Sequence, residues 1–202
     1  QEGNALKRYV HLGTGNYNQV TARLYTDFGF FTADDSIGDD ASALFNLLTG
    51  YSQGHLWQKL VVAPEQLHHR TMELIEEQTE RAKTGRPSRI FAKLNSLVDY
   101  RIIEALYRAS QAGVPVELLV RGICCLRPGL PGISENIRVT SIVDRFLEHS
   151  RLYVFSPDEE ARVFLSSADW MPRNFHRRVE VMFPIEAPDL KERILQEVIP
   201  IY

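Results

Sequence analysis

The chain has 202 residues, 44% of them hydrophobic, and its 23 basic side chains against 26 acidic ones give a formal net charge of -3. That length accommodates one complete domain plus part of another, and the charge balance excludes an overall positive field that would gather nucleic acid or anionic lipid, so a polyanion must be met by a local cluster. No apolar run reaches membrane-spanning length, Gln1-Glu2-Gly3-Asn4 lacks the basic and apolar regions of a signal peptide, and the neighbours Cys124 and Cys125 suit neither an ordinary disulfide nor a four-ligand zinc site. A cytoplasmic or membrane-peripheral protein with reduced, partly buried thiols is expected.

In chain order, residues 8–12 read as a short strand with no upstream neighbour, as if cut from a larger sheet. A glycine-rich turn at 13–18 follows, then an aromatic stretch at 25–31, a predicted helix over 39–48 and a linker over 49–54. Residues 60–63 predict a strand, and Pro64 suits the first turn of a charged helix that runs to about Ala82 and stops at Thr84-Gly85-Arg86-Pro87. After a strand at 89–94, Ser96 with Asp99 resembles a capping box opening a helix whose Val98, Ile102, Ala105, Leu106 and Ala109 share one face and which ends at Gly113. Residues 115–121 read as a buried strand, and this alternation implies a largely parallel sheet with helical crossovers. Further strands are predicted around 137–143, 151–155, 161–166 and 178–183, the middle two forming a hairpin across 156–160, with a closing helix near 189–198.

Candidate chemistry begins at His11-Leu-Gly-Thr-Gly-Asn-Tyr-Asn18, where two glycines allow close backbone approach and Thr14, Asn16 and Asn18 offer donors suited to phosphate oxygens; an ordinary loop is the alternative. Tyr25 can stack on a purine or bond a phosphate, and Arg23 can neutralise its charge, although the crowd of Leu24, Phe28, Phe30 and Phe31 favours a packed core tyrosine. Arg121 ends an apolar strand, where parallel sheets collect ligands; an ion pair with a carboxylate such as Asp144 is the competing explanation, and Lys93 is a second candidate by the same logic. His149 stands at a strand entrance, Arg151 follows two positions later, and the turn Ser166-Ser167-Ala168-Asp169 lies downstream. In a phosphodiesterase-type half-site of this layout the histidine works on phosphorus, the cation holds nonbridging oxygens and the turn completes the cradle. His55, His68, His69 and His176 lack such company, and the His68-His69 pair is expected to be solvated.

Together, Tyr9-Val-His-Leu-Gly-Thr-Gly-Asn-Tyr-Asn18, Thr21-Ala-Arg-Leu-Tyr-Thr-Asp-Phe-Gly29, Leu119-Val-Arg-Gly-Ile-Cys-Cys-Leu-Arg-Pro-Gly129, Phe146-Leu-Glu-His-Ser-Arg151 and Ser166-Ser-Ala-Asp-Trp-Met-Pro-Arg-Asn174 resemble the type 1 polyphosphate kinases. The resemblance covers nearly the whole chain. It implies an α/β, phospholipase D-like domain at 59–202, a mixed, mostly parallel sheet flanked by helices, preceded by the end of a second similar domain at 1–58. It also implies reversible transfer of the terminal phosphate of ATP to polyphosphate through a phosphohistidine, with Mg2+, in a homo-oligomeric parent whose partners are ATP, ADP and polyphosphate rather than nucleic acid. Carried over by motif, Tyr25 is the ATP-contacting tyrosine, Arg121 the phosphate-binding arginine, His149 the second essential histidine and His11 a supporting one. Thr14, Asn16, Lys93, Arg151 and Ser167 are secondary phosphate-site candidates.

The same resemblance assigns the phosphorylated histidine and the magnesium-linked arginines to a segment upstream of Gln1. A carboxy-terminal fragment, inactive alone and without metal ligands of its own, is therefore expected. A phospholipase D-like phosphodiesterase is the rival; Arg151 where that class has lysine, and Ser-Ser-Ala-Asp where it prefers Gly-Ser-x-Asn, count against it. A non-catalytic phosphate-binding or oligomerisation module is the third possibility.

Overall fold

The computed structural model describes residues 7–51, 55–157 and 160–202. Strand β1 (Val10–Gly13) begins later than predicted and finds its partner downstream, pairing antiparallel with β3 (Gly29–Thr32). Between them lies the two-residue strand β2 (Tyr25–Thr26). The aromatic stretch thus contains strands, with Phe30 packed inward and Phe31 outward as a period of two requires. Helix α1 (Asp35–Leu48) opens ahead of the predicted start because the Asp34 side chain accepts from the Ile37 amide and caps it. Of the expected linker, residues 52–54 lie outside the described residues.

The remaining strands are β4 (Val61–Ala63), β5 (Ile90–Leu94), β6 (Val116–Val120), β7 (Ile137–Thr140), β8 (Leu147–Glu148), β9 (Arg151–Phe155), β10 (Arg162–Ser166) and β11 (Glu180–Pro184). All but β8 join one seven-stranded sheet in the order β4-β11-β10-β9-β5-β6-β7. Neighbours β5, β6 and β7 are parallel, and every pairing from β5 through β9, β10 and β11 to β4 is antiparallel. Strands β4, β5, β6, β7 and β10 therefore point one way and β9 and β11 the other, a mixed sheet with one dominant direction. The expected β9–β10 hairpin is present; Asp158 and Glu159 of its turn lie outside the described residues.

Both faces of this sheet are covered, as parallel strands require. Helices α2 (Leu67–Lys83), α3 (Tyr100–Gln111) and α4 (Pro172–Arg177) cover one face, where Leu74, Ile75, Ile102 and Leu106 pack with Tyr153, Phe155, Trp170 and Phe175. Over the other lie Leu12, Phe28, Phe30 and Ile37 of the amino-terminal segment, together with Leu190 of α5 (Pro188–Arg193), Ile194 and Ile199. They meet Leu152, Val154, Leu165 and Phe183. Alternation along β9 sends Leu152 and Val154 to this second core and Tyr153 and Phe155 to the first.

Several local expectations are corrected. Pro64 precedes α2 rather than entering it, since an intervening turn delays the helix to Leu67. Ser96 does not cap α3: Leu97 is held extended by bridges to Cys124 and Trp170, so the helix starts later, with Asp99 as its cap, accepting from the amides of Arg101 and Ile102. The strand expected to reach Val143 stops at Thr140, and the closing helix passes into a π turn over Ile194–Val198. Helix α4 and strand β8 had no predicted counterpart. Among the described residues no helix is long and apolar enough to cross a membrane.

Candidate functional site

Strand β9 runs against β5 and β10, so its amino end meets their carboxyl ends at one edge of the sheet. Asn95 follows β5, Arg121 follows β6, Asp169 follows β10, and His149 and Arg151 lead into β9. The amino-terminal segment reaches the same edge through β2, which pairs in parallel with β8 and sets Tyr25 opposite Leu147 and Thr26 opposite Glu148. The amides of His149 and Ser150 donate to the Thr26 carbonyl at 3.2 and 3.0 Å, and Asp27 comes to rest against His149.

The polar groups at this edge form one continuous network. His149 Nδ1 lies 2.9 Å from Asp27 Oδ2; a carboxylate only accepts, so this bond assigns the proton to Nδ1 and makes Nε2 the ring's acceptor, 3.2 Å from Arg151 Nη1. Thr14 Oγ1 donates to Asp27 Oδ1 at 2.7 Å and accepts from the Phe28 amide at 3.0 Å. Arg151 Nη1 donates to the Thr14 carbonyl at 3.0 Å and lies 3.3 and 3.2 Å from the two ring nitrogens of His149. Its Nε and Nη2 form a bidentate pair with Asp169 at 3.2 and 3.1 Å. Asp169 also accepts from the Asn95 amide at 2.7 Å, while the Asn95 side chain donates to the His149 carbonyl and accepts from Arg121 Nε at 3.0 Å. His149, Arg151 and Asp169 are all buried, and such a pair tolerates the loss of neither member, because the survivor is a buried, unpaired charge.

The expected phosphate ligands divide sharply by what they touch. Arg121 is oriented by Asn95 rather than Asp144, whose carboxylate instead takes the Arg145 amide; among the described residues the Arg121 Nη atoms make no hydrogen bond. Tyr25 places its ring 4.8 Å from that of His149. Lys93, only 2% exposed, is committed internally: Nζ donates to the Ser150 carbonyl and hydroxyl at 3.1 and 2.8 Å and pairs with Glu148 at 3.1 Å. Burial is the largest influence on this amine and holds its pKa below the usual lysine value, against the pull of Glu148. Ser167 donates to Glu180 and accepts from the Val181 amide, tying the turn to β11. Asn18 closes its own turn by accepting from the amides of Val20 and Thr21. Arg23 is exposed in the 3-10 turn beside it.

His11 stands apart from the His149 network, with Nδ1 2.8 Å from the Tyr17 hydroxyl and its ring 4.5 Å from Phe31. It nevertheless lines, with Asn16, Tyr25 and Asp27, a cavity of about 260 Å³ beside the network. A larger cavity of about 480 Å³ beside β4, β10 and β11, bordered by Lys59, Arg70 and Arg162, contains none of these residues, so chemistry rather than volume marks the site. Of the remaining histidines, His68 differs from expectation: it is not solvated, because Asp99 Oδ1 lies 3.3 Å from its Nε2 and Phe175 flanks its ring. His69 is exposed as expected, and His55 Nε2 is 3.0 Å from the buried Asp40.

Asp27, Asn95 and Asp169 were not singled out by sequence, although Asp27 and Asp169 stand in motifs that were and Asn95 follows a predicted strand. Asp27 follows Tyr25 by two positions, Asn95 occupies at β5 the strand-end position that drew attention to Arg121 at β6, and Asp169 closes the small-polar turn.

The family model described as Polyphosphate kinase C-terminal domain 2 matches residues 60–202, and that described as Polyphosphate kinase C-terminal domain 1 matches residues 1–54. The chain is 54% identical over 194 residues to a polyphosphate kinase of Synechocystis sp., covering 96% of this chain and 27% of that protein. It is 53% identical over 197 residues to a polyphosphate kinase of Neisseria meningitidis serogroup C, covering 98% of this chain and 29% of that protein. The crystal structure of polyphosphate kinase from Porphyromonas gingivalis superposes with a TM-score of 0.89 at 42% identity, covering 94% of this chain and 29% of that one. The chain thus spans between a quarter and a third of the length of these relatives.

Proposed function

The chain belongs to the polyphosphate kinase family, and from that membership we propose that its polar network from Thr14 to Arg121 handles phosphate in an enzyme that reversibly moves the terminal phosphate of ATP onto polyphosphate through a phosphohistidine. The observation that carries this reading is the convergence, at one sheet edge, of a histidine of assigned tautomer with an arginine whose terminal nitrogens are uncommitted among the described residues.

Phosphoryl transfer asks a protein chiefly to position groups and neutralise charge. In the forward step a histidine nitrogen outside these residues attacks the γ-phosphorus, the bond from that phosphorus to the bridging oxygen breaks, and ADP leaves with the electron pair. Arg121 holds nonbridging oxygens with its Nη groups. Protonated His149 donates from Nε2 to the departing phosphate, with Asp27 holding the opposite side of the ring. Tyr25 orients the nucleotide, His11 and Asn16 border the cavity beside it, and Thr14 holds Asp27 in place. Arg151 commits its donors to Asp169 and Thr14 and so acts by orienting His149, while Lys93 and Ser167 brace the segments that carry the network. Magnesium takes oxygen ligands in a near-octahedral array. The network's carboxylates, Asp27 and Asp169, are already engaged by His149, Thr14, Arg151 and the Asn95 amide, so we place no magnesium ligand here.

We further propose that residues 1–58 end one domain and 59–202 form the next; the seven-stranded sheet starting at β4 supports this boundary. With the nucleophile outside the chain, these residues alone are inactive. Incubating the chain with γ-labelled ATP and assaying acid-labile phosphate is expected to give no label and no polyphosphate; label on His11 or His149 would overturn the assignment of the nucleophile.

A further inference from the structure

Away from the phosphate network, three helix ends converge. His68 lies in the first turn of α2, Asp99 caps the amino end of α3, and His176 lies in the last turn of α4. One potential ligand atom from each falls within 4.8 Å of the other two. His68 Nε2 and Asp99 Oδ1 are 3.3 Å apart, a separation that matches the edge of a tetrahedron built on metal–ligand bonds of about 2.0–2.2 Å. We propose that His68, Asp99 and His176 form a binding site for a divalent transition-metal ion of the zinc class, held by two imidazole nitrogens and one carboxylate oxygen with a fourth position open to water.

The donor set selects the ion. Imidazole suits zinc and its neighbours, whereas magnesium and calcium take oxygen ligands almost exclusively. Two of the three ligands are held in place before any ion arrives. The Asp99 side chain is 4% exposed and its Oδ1 accepts from the amides of Arg101 and Ile102, the outer hydrogen bonding that orients a ligating carboxylate. His68 is 14% exposed and its ring meets the buried Phe175 edge-on at 4.9 Å. His176 is exposed on α4, its ring 5.1 Å from that of His68, so rotation of a surface side chain closes the remaining gap.

A simple His68–Asp99 pair would be satisfied without a second imidazole beside it, and the third ligand is what an ion requires. The consequence reaches the phosphate network through the backbone. The amides of Val98 and Asp99 donate to the Trp170 carbonyl at 2.9 and 3.0 Å, and Trp170 adjoins Asp169. An ion here clamps α4 and the preceding turn against α3.

Titration of the full chain with Zn2+ by calorimetry tests the site, with Co2+ as spectroscopic probe. The expected result is saturable binding that weakens at least about tenfold in His176→Ala and in His68→Gln, since even loss of a ligand's outer hydrogen-bond partner has an effect of that size. His69→Ala, which removes an exposed neighbour paired with Glu73, leaves binding unchanged. His176→Ala alters only a surface side chain, so the test stands if His68→Gln misfolds. Failure of the wild type to bind Zn2+, unaltered binding in His176→Ala, or a thiolate-to-cobalt charge-transfer band placing the ion at Cys124 and Cys125 would each overturn the site.

Discussion

Asp27 accepts from both Thr14 and His149, and its carboxylate lies so close over Gly15 that a Cβ there would come within 2.2 Å of Oδ2. Only glycine permits that approach, which makes the loop and the imidazole parts of one device. A hydrogen bond to a charged group is worth about 1.5–3 kcal/mol, so Asp27→Asn is expected to lower the Nδ1–H preference of His149 by about tenfold or more. Nitrogen-15 shifts of the His149 ring, read with circular dichroism to confirm the fold, measure this. Gly15→Ala is expected to give the same shift by displacing the carboxylate, and an unchanged tautomer ratio in both variants would show that Asp27 does not control the ring. The candidacy of Arg121 and His149 was legible because each sits beside a strand end in a motif of its own. The true standing of Lys93 was not, because the Ser150 and Glu148 groups that absorb its amine lie more than fifty residues away in sequence.

Helix α1 is pinned to the segment leading into β4 by the Asp40 side chain and by an ion pair between its cap, Asp34, and Lys59. Asp40, fully buried, accepts from the amides of Gln58, Lys59 and Leu60 and is bonded to His55. Burial by itself disfavours its charge, but these amides and His55 together outweigh that and hold its pKa below the usual carboxylate value. Asp40→Asn places an amide NH2 among three backbone amides that only donate and is expected to destabilise the chain by about 3 kcal/mol in urea melts at neutral pH. Because the folded pKa lies below the unfolded one, the carboxylate's contribution is complete above the unfolded value near about 4 and is lost as pH falls through the folded value. The gap between wild type and variant should therefore shrink on acidification; a gap independent of pH would remove the carboxylate's charge from the explanation. At this scale the long periodic elements were legible and the short ones were not. Strands β2 and β8 consist of two residues each and exist because they pair across more than a hundred residues, which no local periodicity records.

Across the whole molecule, the central sheet is apolar on both faces and the amino-terminal segment covers part of one. Burying a large apolar side chain contributes about 1.5–3 kcal/mol, and Leu12, Phe28, Phe30 and Ile37 all lie over Leu152, Val154, Leu165 and Phe183. A chain shortened to begin at Lys59 is expected to keep its sheet, bind the apolar dye ANS and melt about 10 °C lower or more by scanning calorimetry. An unchanged melting temperature would mean that the two segments pack independently.

What the sequence determined by itself is the family, the alternation of β4, α2, β5, α3 and β6, and the candidacy of Arg121, His149 and Tyr25, because motif order and side-chain periodicity are local properties. Only the tertiary structure decided which polar atoms are committed and which remain open to a ligand. The bonds from Asn95 to Asp169, His149 to Asp27 and Arg151 to Thr14 join residues 74, 122 and 137 positions apart. Once such groups are buried, pairing dictates what each is able to do.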